Sequence, residues 1–364
     1  MLDNVKISIQ QMAVLVIFLT IGDSVLVLPS VIAATSKQDA WISGIIGIAA
    51  GMLIAYIILS QYRLNPRASQ IELNLKVLGK WIGWPVSLLF LLYYLLMTTA
   101  IIREVGNFMT TQMMPETPIW SIHALLLLIL VSSVRSGLEP IARTGEIFLP
   151  MFILFFAALI ILNLPEVKLI HLKPYLGEGI IPPIQGSIYL AAFSFSELIA
   201  LAMVLPSVRP GKHLSRDFLL AALFGGFSIL AVIFGTILVL GQYITAHQYY
   251  PAYALAKKIN IGQFLERVEA MFAVIWIIST YFKCTIYFYA LNAGTTQLFK
   301  LRDNRALTLP LGIVLFGTAY AISPSEIYYS DAIKKYWPFM DLTFSMVFPL
   351  ALIAVYSLRK LAKG

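Results

Sequence analysis

Long apolar runs separated by short polar breakers organise this chain, and a run of about 20 such residues carries an α-helix across a bilayer. Read against the breakers, the runs predict ten helices, at 7–34, 41–61, 81–113, 119–134, 146–164, 183–205, 216–243, 264–299, 307–322 and 337–358. The expected fold is all-α: a polytopic membrane protein forming one membrane domain over residues 1–364, with short loops and no sizeable soluble part. Gly44, Gly47 and Gly51 in the second helix suit close helix packing. The third helix is long enough to tilt. Between the seventh and eighth helices, 245–262 places apolar residues at helical spacing beside Lys257 and Lys258, which predicts a short helix lying in the outer interface.

The first run is interrupted. Ile21-Gly22-Asp23-Ser24-Val25-Leu26-Val27-Leu28-Pro29-Ser30 sets a glycine, an aspartate, a serine and a proline between two strongly apolar stretches. Gly22 frees the backbone and Pro29 removes a donor, so main-chain groups are expected to open midway along the run, where a cavity or a polar ligand must satisfy them. Helix halves meeting at such a break point their dipole ends at it, N–H groups suiting an anion and carbonyls a cation. Gly22, Asp23, Ser24 and Val25 are therefore candidate ligand contacts.

The sixth run carries a second polar knot, Phe193-Ser194-Phe195-Ser196-Glu197-Leu198, and ends at Pro206. Helices 1 and 6 hold the first position of two five-helix halves, 7–164 and 183–358, and an odd number of spans per half turns the second upside down. Inverted repeats with paired broken helices place their ligand between the breaks. Phe193, Phe195, Ser196 and Glu197 join the candidate set on that argument.

Composition agrees with the runs: 59% of the 364 residues are hydrophobic and 12% charged. The net charge of +8 follows from basic residues held in cytoplasmic loops rather than from a nucleic-acid surface. With the N-terminus inside, 16 of the 26 basic residues fall on the inner side and 7 on the outer, which predicts both termini in the cytoplasm. One cysteine, Cys284, and four scattered histidines give no disulfide, metal cluster or redox pair, and no cofactor is expected. No nucleophile–base motif points to an enzyme. The first run continues past any small-residue cleavage site and reads as helix 1 rather than as a removable signal.

The break in helix 1 resembles that of amino acid, polyamine and organocation permeases. More specifically, four segments resemble the B subunits of GerA-type spore germinant receptors: Leu78-Gly79-Lys80-Trp81-Ile82-Gly83; Pro174-Tyr175-Leu176-Gly177-Glu178-Gly179; Tyr250-Pro251; and Phe264-Leu265-Glu266-Arg267-Val268-Glu269, followed by Trp276. Their order and spacing match over essentially the whole chain. This sequence has Asp23 and Ser24 where a glycine-alanine-glycine pattern is commoner. The resemblance implies a LeuT-like fold in the inner membrane of a spore. A small polar, amino acid-like nutrient would bind from outside between helices 1 and 6, and the signal would pass to an A subunit and a C lipoprotein subunit. A proton-coupled uptake permease for amino acids or small solutes keeps the same machinery, so both readings stand at this point.

Each charged candidate also has an ordinary structural reading. Asp23 suits a ligand amine or a proton, or simply a cap on the second half of helix 1. Arg103 and Glu104 read as a structural pair or an outer gate element, with the arginine stem snorkelling. Glu266, Arg267 and Glu269 read as charges complementing the start of helix 8. Tyr94 and Thr98, like Tyr93, are placed by the resemblance beside the breaks, though an aromatic stripe is also ordinary packing. Lys283 lies about halfway along helix 8, too deep for its stem to be assumed to reach water, and needs a partner. In the resembling transporters, helix 8 hydroxyls and helix 1 carbonyls hold a cation. With Ser279, Thr280 and Thr285 nearby, Lys283 is expected to act as a built-in cation against the helix 1 break and Asp23. Its ordinary alternative is a lysine reaching a cytoplasmic vestibule.

Overall fold

The computed structural model describes residues 6–259 and 268–362. Those residues form thirteen α-helices joined by short turns and tighter or wider helical segments. A capping box between Ser8 and Gln11 starts α1 (Ile9–Ile21), which ends where Gly22 turns to a φ of 39°. After Asp23 the chain resumes as α2 (Ser24–Ser36). The interruption is confined to Gly22 and Asp23: Pro29 lies inside α2 without breaking it, so the proline does not open the backbone as expected.

A short turn leads into α3 (Ala40–Leu64). α4 (Gln70–Phe108) starts well before the predicted third helix, on a Ser69–Glu72 capping box, and kinks at Gly79, where φ is 78°. α5 (Ile119–Ser136) and α6 (Leu138–Leu162) follow.

The sixth helix differs from expectation in kind. α7 (Ile181–Leu190) passes into a wider π turn at Ala191–Phe195 and then a tighter 3-10 segment at Ser196–Met203, so the chain changes pitch without being cut. Packing explains it. The ring of Phe195 lies against Gly51 of α3, where no Cβ stands in its way, and a buried helix keeps its backbone paired by adjusting pitch rather than opening.

α8 (Leu214–His247) kinks at Gly241, and α9 (Pro251–Lys257) follows. The expected interfacial helix over 245–262 is corrected here. The end of α8 covers its start and 260–262 lie outside the described residues. Pro251, Ala252, Tyr253, Leu255 and Ala256 are all buried where α9 packs on α2, α8 and α10, and Tyr253 and the preceding Tyr250 also pack on Phe108 of α4. α10 (Val268–Leu298), α11 (Asn304–Ala321), α12 (Glu326–Leu342) and α13 (Phe348–Leu361) complete the chain, with a π turn between the last two. The motif residues 264–267, including Glu266 and Arg267, lie outside the described residues.

Among the described residues, eight helical stretches are long and apolar enough to cross a membrane. Among these stretches Ile181–Met203 is the most enclosed and Leu138–Glu166 the least. α1, α2, the sixth helix and α10 form the centre, while Leu128, Ile147, Leu154, Ile313 and Phe339 expose apolar side chains outward. Such an outward apolar surface suits lipid.

Candidate functional site

The break between α1 and α2 frees main-chain carbonyls, and α10 answers them. Ser279 Oγ donates to the Gly22 carbonyl at 2.9 Å, and Trp276 Nε1 donates to the Asp23 carbonyl at 3.3 Å. Trp276, Ser279 and Lys283 recur at three and four residues, which sets them on one face of α10. The stem of Lys283 lies over Gly22.

The lysine is wholly buried, so its ammonium must be paired within the protein. Nζ forms ion pairs with Asp23 and Glu197, and donates to Ser24 Oγ at 3.2 Å and to the Phe193 carbonyl at 3.3 Å. Ser24 Oγ also donates to the Phe193 carbonyl, at 2.6 Å. That carbonyl belongs to the π turn, where the change of pitch directs it at neighbouring helices. One ammonium thus ties α2, the sixth helix and α10 together. Asp23 sits in the capping position of α2 but makes no side-chain cap bond, so the ordinary reading of this carboxylate as a helix cap does not hold.

A cavity of about 360 Å³ opens over this junction. Asp23, Ser24, Phe193 and Glu197 line it. Gly22 is instead covered by Lys283, and Val25 is buried away from the lining. Four further candidates, Phe195, Ser196, Thr98 and Tyr94, are not among the cavity's lining residues. Phe195 packs on Gly51 and Gly226; Ser196 Oγ donates back to the Ala191 carbonyl; Thr98 Oγ1 donates to the Tyr94 carbonyl, one helical turn earlier. Neither Thr98 nor Tyr94 reaches the cavity, because α4 presents its next turns, Met97, Ala100, Ile101, Glu104 and Asn107, instead. Thr280 is buried, and its hydroxyl has no partner among the described residues.

The sequence reading left the other contributors outside the ligand set, and gave Glu104 only as a structural pair with Arg103 or an outer gate element. Glu104 lines the cavity and does not pair with Arg103, whose Nε donates to Asn107 Oδ1 at 3.1 Å and whose Nη1 donates to the Tyr320 carbonyl at 3.3 Å. Adjacent helical residues point about 100° apart, so a pair at i and i+1 is unfavourable. Glu326, Tyr329, Asp331 and Lys334 also line the cavity, because α12 begins eleven residues before the predicted tenth helix. The serine cap at Ser325, whose hydroxyl accepts from the Tyr328 N–H at 3.2 Å, was the signal available for that start. Tyr250 closes one side, donating to Glu326 at 2.7 Å.

Beneath the junction a hydroxyl chain runs on. Tyr287 donates to the Glu197 carbonyl at 3.1 Å and meets Tyr93 at 3.2 Å, and Tyr93 donates to Asp341 Oδ1 at 3.1 Å. Among the described residues no group of His, Cys, Asp and Glu is arranged to hold a metal ion.

Residues 6–327 match the family described as Spore germination protein. Spore germination protein KB of Bacillus subtilis (strain 168) is 28% identical over 364 residues, covering 99% of this chain and 96% of that protein. Spore germination protein YndE of the same organism is 28% identical over 304 residues, covering 81% and 82%. Spore germination protein A2 is 23% identical over 348 residues, covering 93% and 92%. Among solved structures, MhsT in complex with L-phenylalanine superposes with a TM-score of 0.70 at 14% identity, over 95% of this chain and 97% of that one. At that identity the likeness speaks for the fold alone.

Proposed function

Because the chain belongs to the spore germination protein family, we propose that it is the nutrient-sensing membrane subunit of a spore germination receptor. A small polar, amino acid-like nutrient enters the cavity between the helix 1 break and the sixth helix, and its binding alters how those helices pack. Ten spans in two inverted five-helix repeats, 7–164 and 183–358, belong to this reading, as do cytoplasmic termini and a place in the spore's inner membrane. The end of α8, α9 and the start of α12 then form the outer mouth. An A subunit and a C lipoprotein subunit receive the signal.

The observation that carries the reading is the Lys283 junction under the cavity. Lys283 serves as a fixed cation at the break, with Ser279 and Thr280 beside it. A ligand that engages Asp23, Ser24 or Glu197 competes for the ammonium, and so favours one helix arrangement over another through differential contacts. The test is a nutrient screen of spores lacking and carrying this subunit, repeated with Asp23→Ala. The variant is expected to change which nutrients trigger germination while leaving protein abundance normal. An unchanged nutrient profile at normal abundance removes Asp23 from the ligand site.

The transporter-like fold favours a second reading, a proton-coupled uptake permease. Accumulation of a nutrient by vesicles containing this chain alone would select it; binding without accumulation, together with dependence on partner subunits, selects the receptor.

A further inference from the structure

Two polar side chains on the cavity wall each keep one atom without a partner among the described residues. Glu104 is 6% exposed and its Oε1 accepts no hydrogen bond; Asn107 is 4% exposed and its Nδ2 donates none among the described residues. Both line the cavity, and a spacing of three puts them on one face of α4. A buried polar group without a partner is unfavourable, so this acceptor and donor mark where polar atoms of a ligand fit.

Carboxyl groups outnumber basic ones in the lining: among the described residues, Asp23, Glu104, Glu197, Glu326 and Asp331 line the cavity against Lys334 and His247. Lys283, behind the wall, is already engaged by Asp23 and Glu197, and the Glu104 carboxyl lies within hydrogen-bonding reach of Asp23. Val27, Val31, Ile101 and Trp337 supply apolar wall between these groups.

We infer that the cavity selects an organic cation, a small molecule whose ammonium group seats at Glu104 and Asp23 while one of its acceptor atoms takes Asn107 Nδ2. The inference rests on the cavity being the nutrient site and narrows what that nutrient is. An anion meets a lining of its own sign, which a low-dielectric cleft focuses. A bare alkali ion makes no use of the apolar wall, whereas a carbon skeleton does.

The test needs no identified nutrient. Val27→Cys places a thiol on the partly exposed wall, and the native Cys284 is buried. The full-length variant in lipid nanodiscs is labelled with cationic aminoethyl methanethiosulfonate and with anionic sulfonatoethyl methanethiosulfonate, each rate being normalised to that of a free thiol. The cation is expected to react faster by about tenfold or more, and Glu104→Gln in the same chain to shrink that ratio. n-Butylammonium is expected to slow labelling by neutral N-ethylmaleimide, and butyrate to leave it unchanged. Equal rates for the two charged reagents, as a proton shared between Asp23 and Glu104 would produce, overturn the inference and leave the nutrient-site reading standing. No labelling by any reagent overturns both. The reagent comparison on Val27→Cys decides by itself should Glu104→Gln not fold.

Discussion

The stem of Lys283 occupies the space that a Cβ on Gly22 would need, and Gly22 itself holds a φ of +39°. The break in helix 1 and the lysine that spans it are therefore one feature: without a glycine there, the ammonium could not pass over the backbone to Asp23 and Glu197.

Gly22→Ala should be among the most damaging small substitutions in the chain. It adds backbone strain of about 1–3 kcal/mol and displaces the lysine stem. Gly317→Ala is the control, because a Cβ there meets nothing within 4 Å. Thermal melts in detergent should show a large loss for the first and little change or a slight gain for the second. Matching melts would remove the steric argument.

Lys283→Met keeps much of the side-chain volume and leaves Asp23 and Glu197 without their ammonium. Breaking a buried pair in this way costs about 3–5 kcal/mol. Adding Asp23→Asn and Glu197→Gln should recover most of that loss in denaturation measurements, although nutrient response stays absent at matched protein level. A triple variant no more stable than the single one would show that charge pairing is not what Lys283 contributes.

Ser279→Ala should cost about 1–3 kcal/mol, because it leaves the Gly22 carbonyl at the break without its donor. Thr280→Val, one residue on, replaces a buried hydroxyl that has no partner among the described residues by a methyl of similar size, and should be neutral or stabilising. The two melts distinguish a specific bond from a general effect of removing hydroxyls from α10.

Two tyrosines give a matching pair. Tyr287→Phe deprives the Glu197 carbonyl of a donor and interrupts the contact with Tyr93, for a loss of about 1–2 kcal/mol. The Tyr94 hydroxyl is buried without a partner, so Tyr94→Phe should be neutral or stabilising. A destabilised Tyr94→Phe would mean that this hydroxyl is engaged after all.

Much was legible before any coordinates. The all-helical membrane class follows from run length and the scarcity of charge, which are local properties of the chain. Family membership was legible in short segments such as Leu78-Gly79-Lys80-Trp81 and Tyr250-Pro251. A glycine followed by an aspartate inside an apolar run announces an interruption because few backbones need both there, and a lysine midway along a helix announces a need for partners because a buried charge is too costly alone.

Local residue pattern shows which groups need partners; packing chooses the partners. That Glu197 shares the ammonium with Asp23, that the sixth helix changes pitch at Phe193 instead of opening, and that Glu104 faces the cavity rather than Arg103 are set by how helices rotate and pack against one another. The early start of α12 belongs with them: residues 326–336 are polar enough to read as a loop, and only a surface on the neighbouring helices gives Tyr329 a buried place, its hydroxyl donating to the Ala100 carbonyl at 2.7 Å. A span's composition fixes that it is helical, while its rotation about its own axis depends on side chains far away in sequence, and that rotation chooses which polar groups meet.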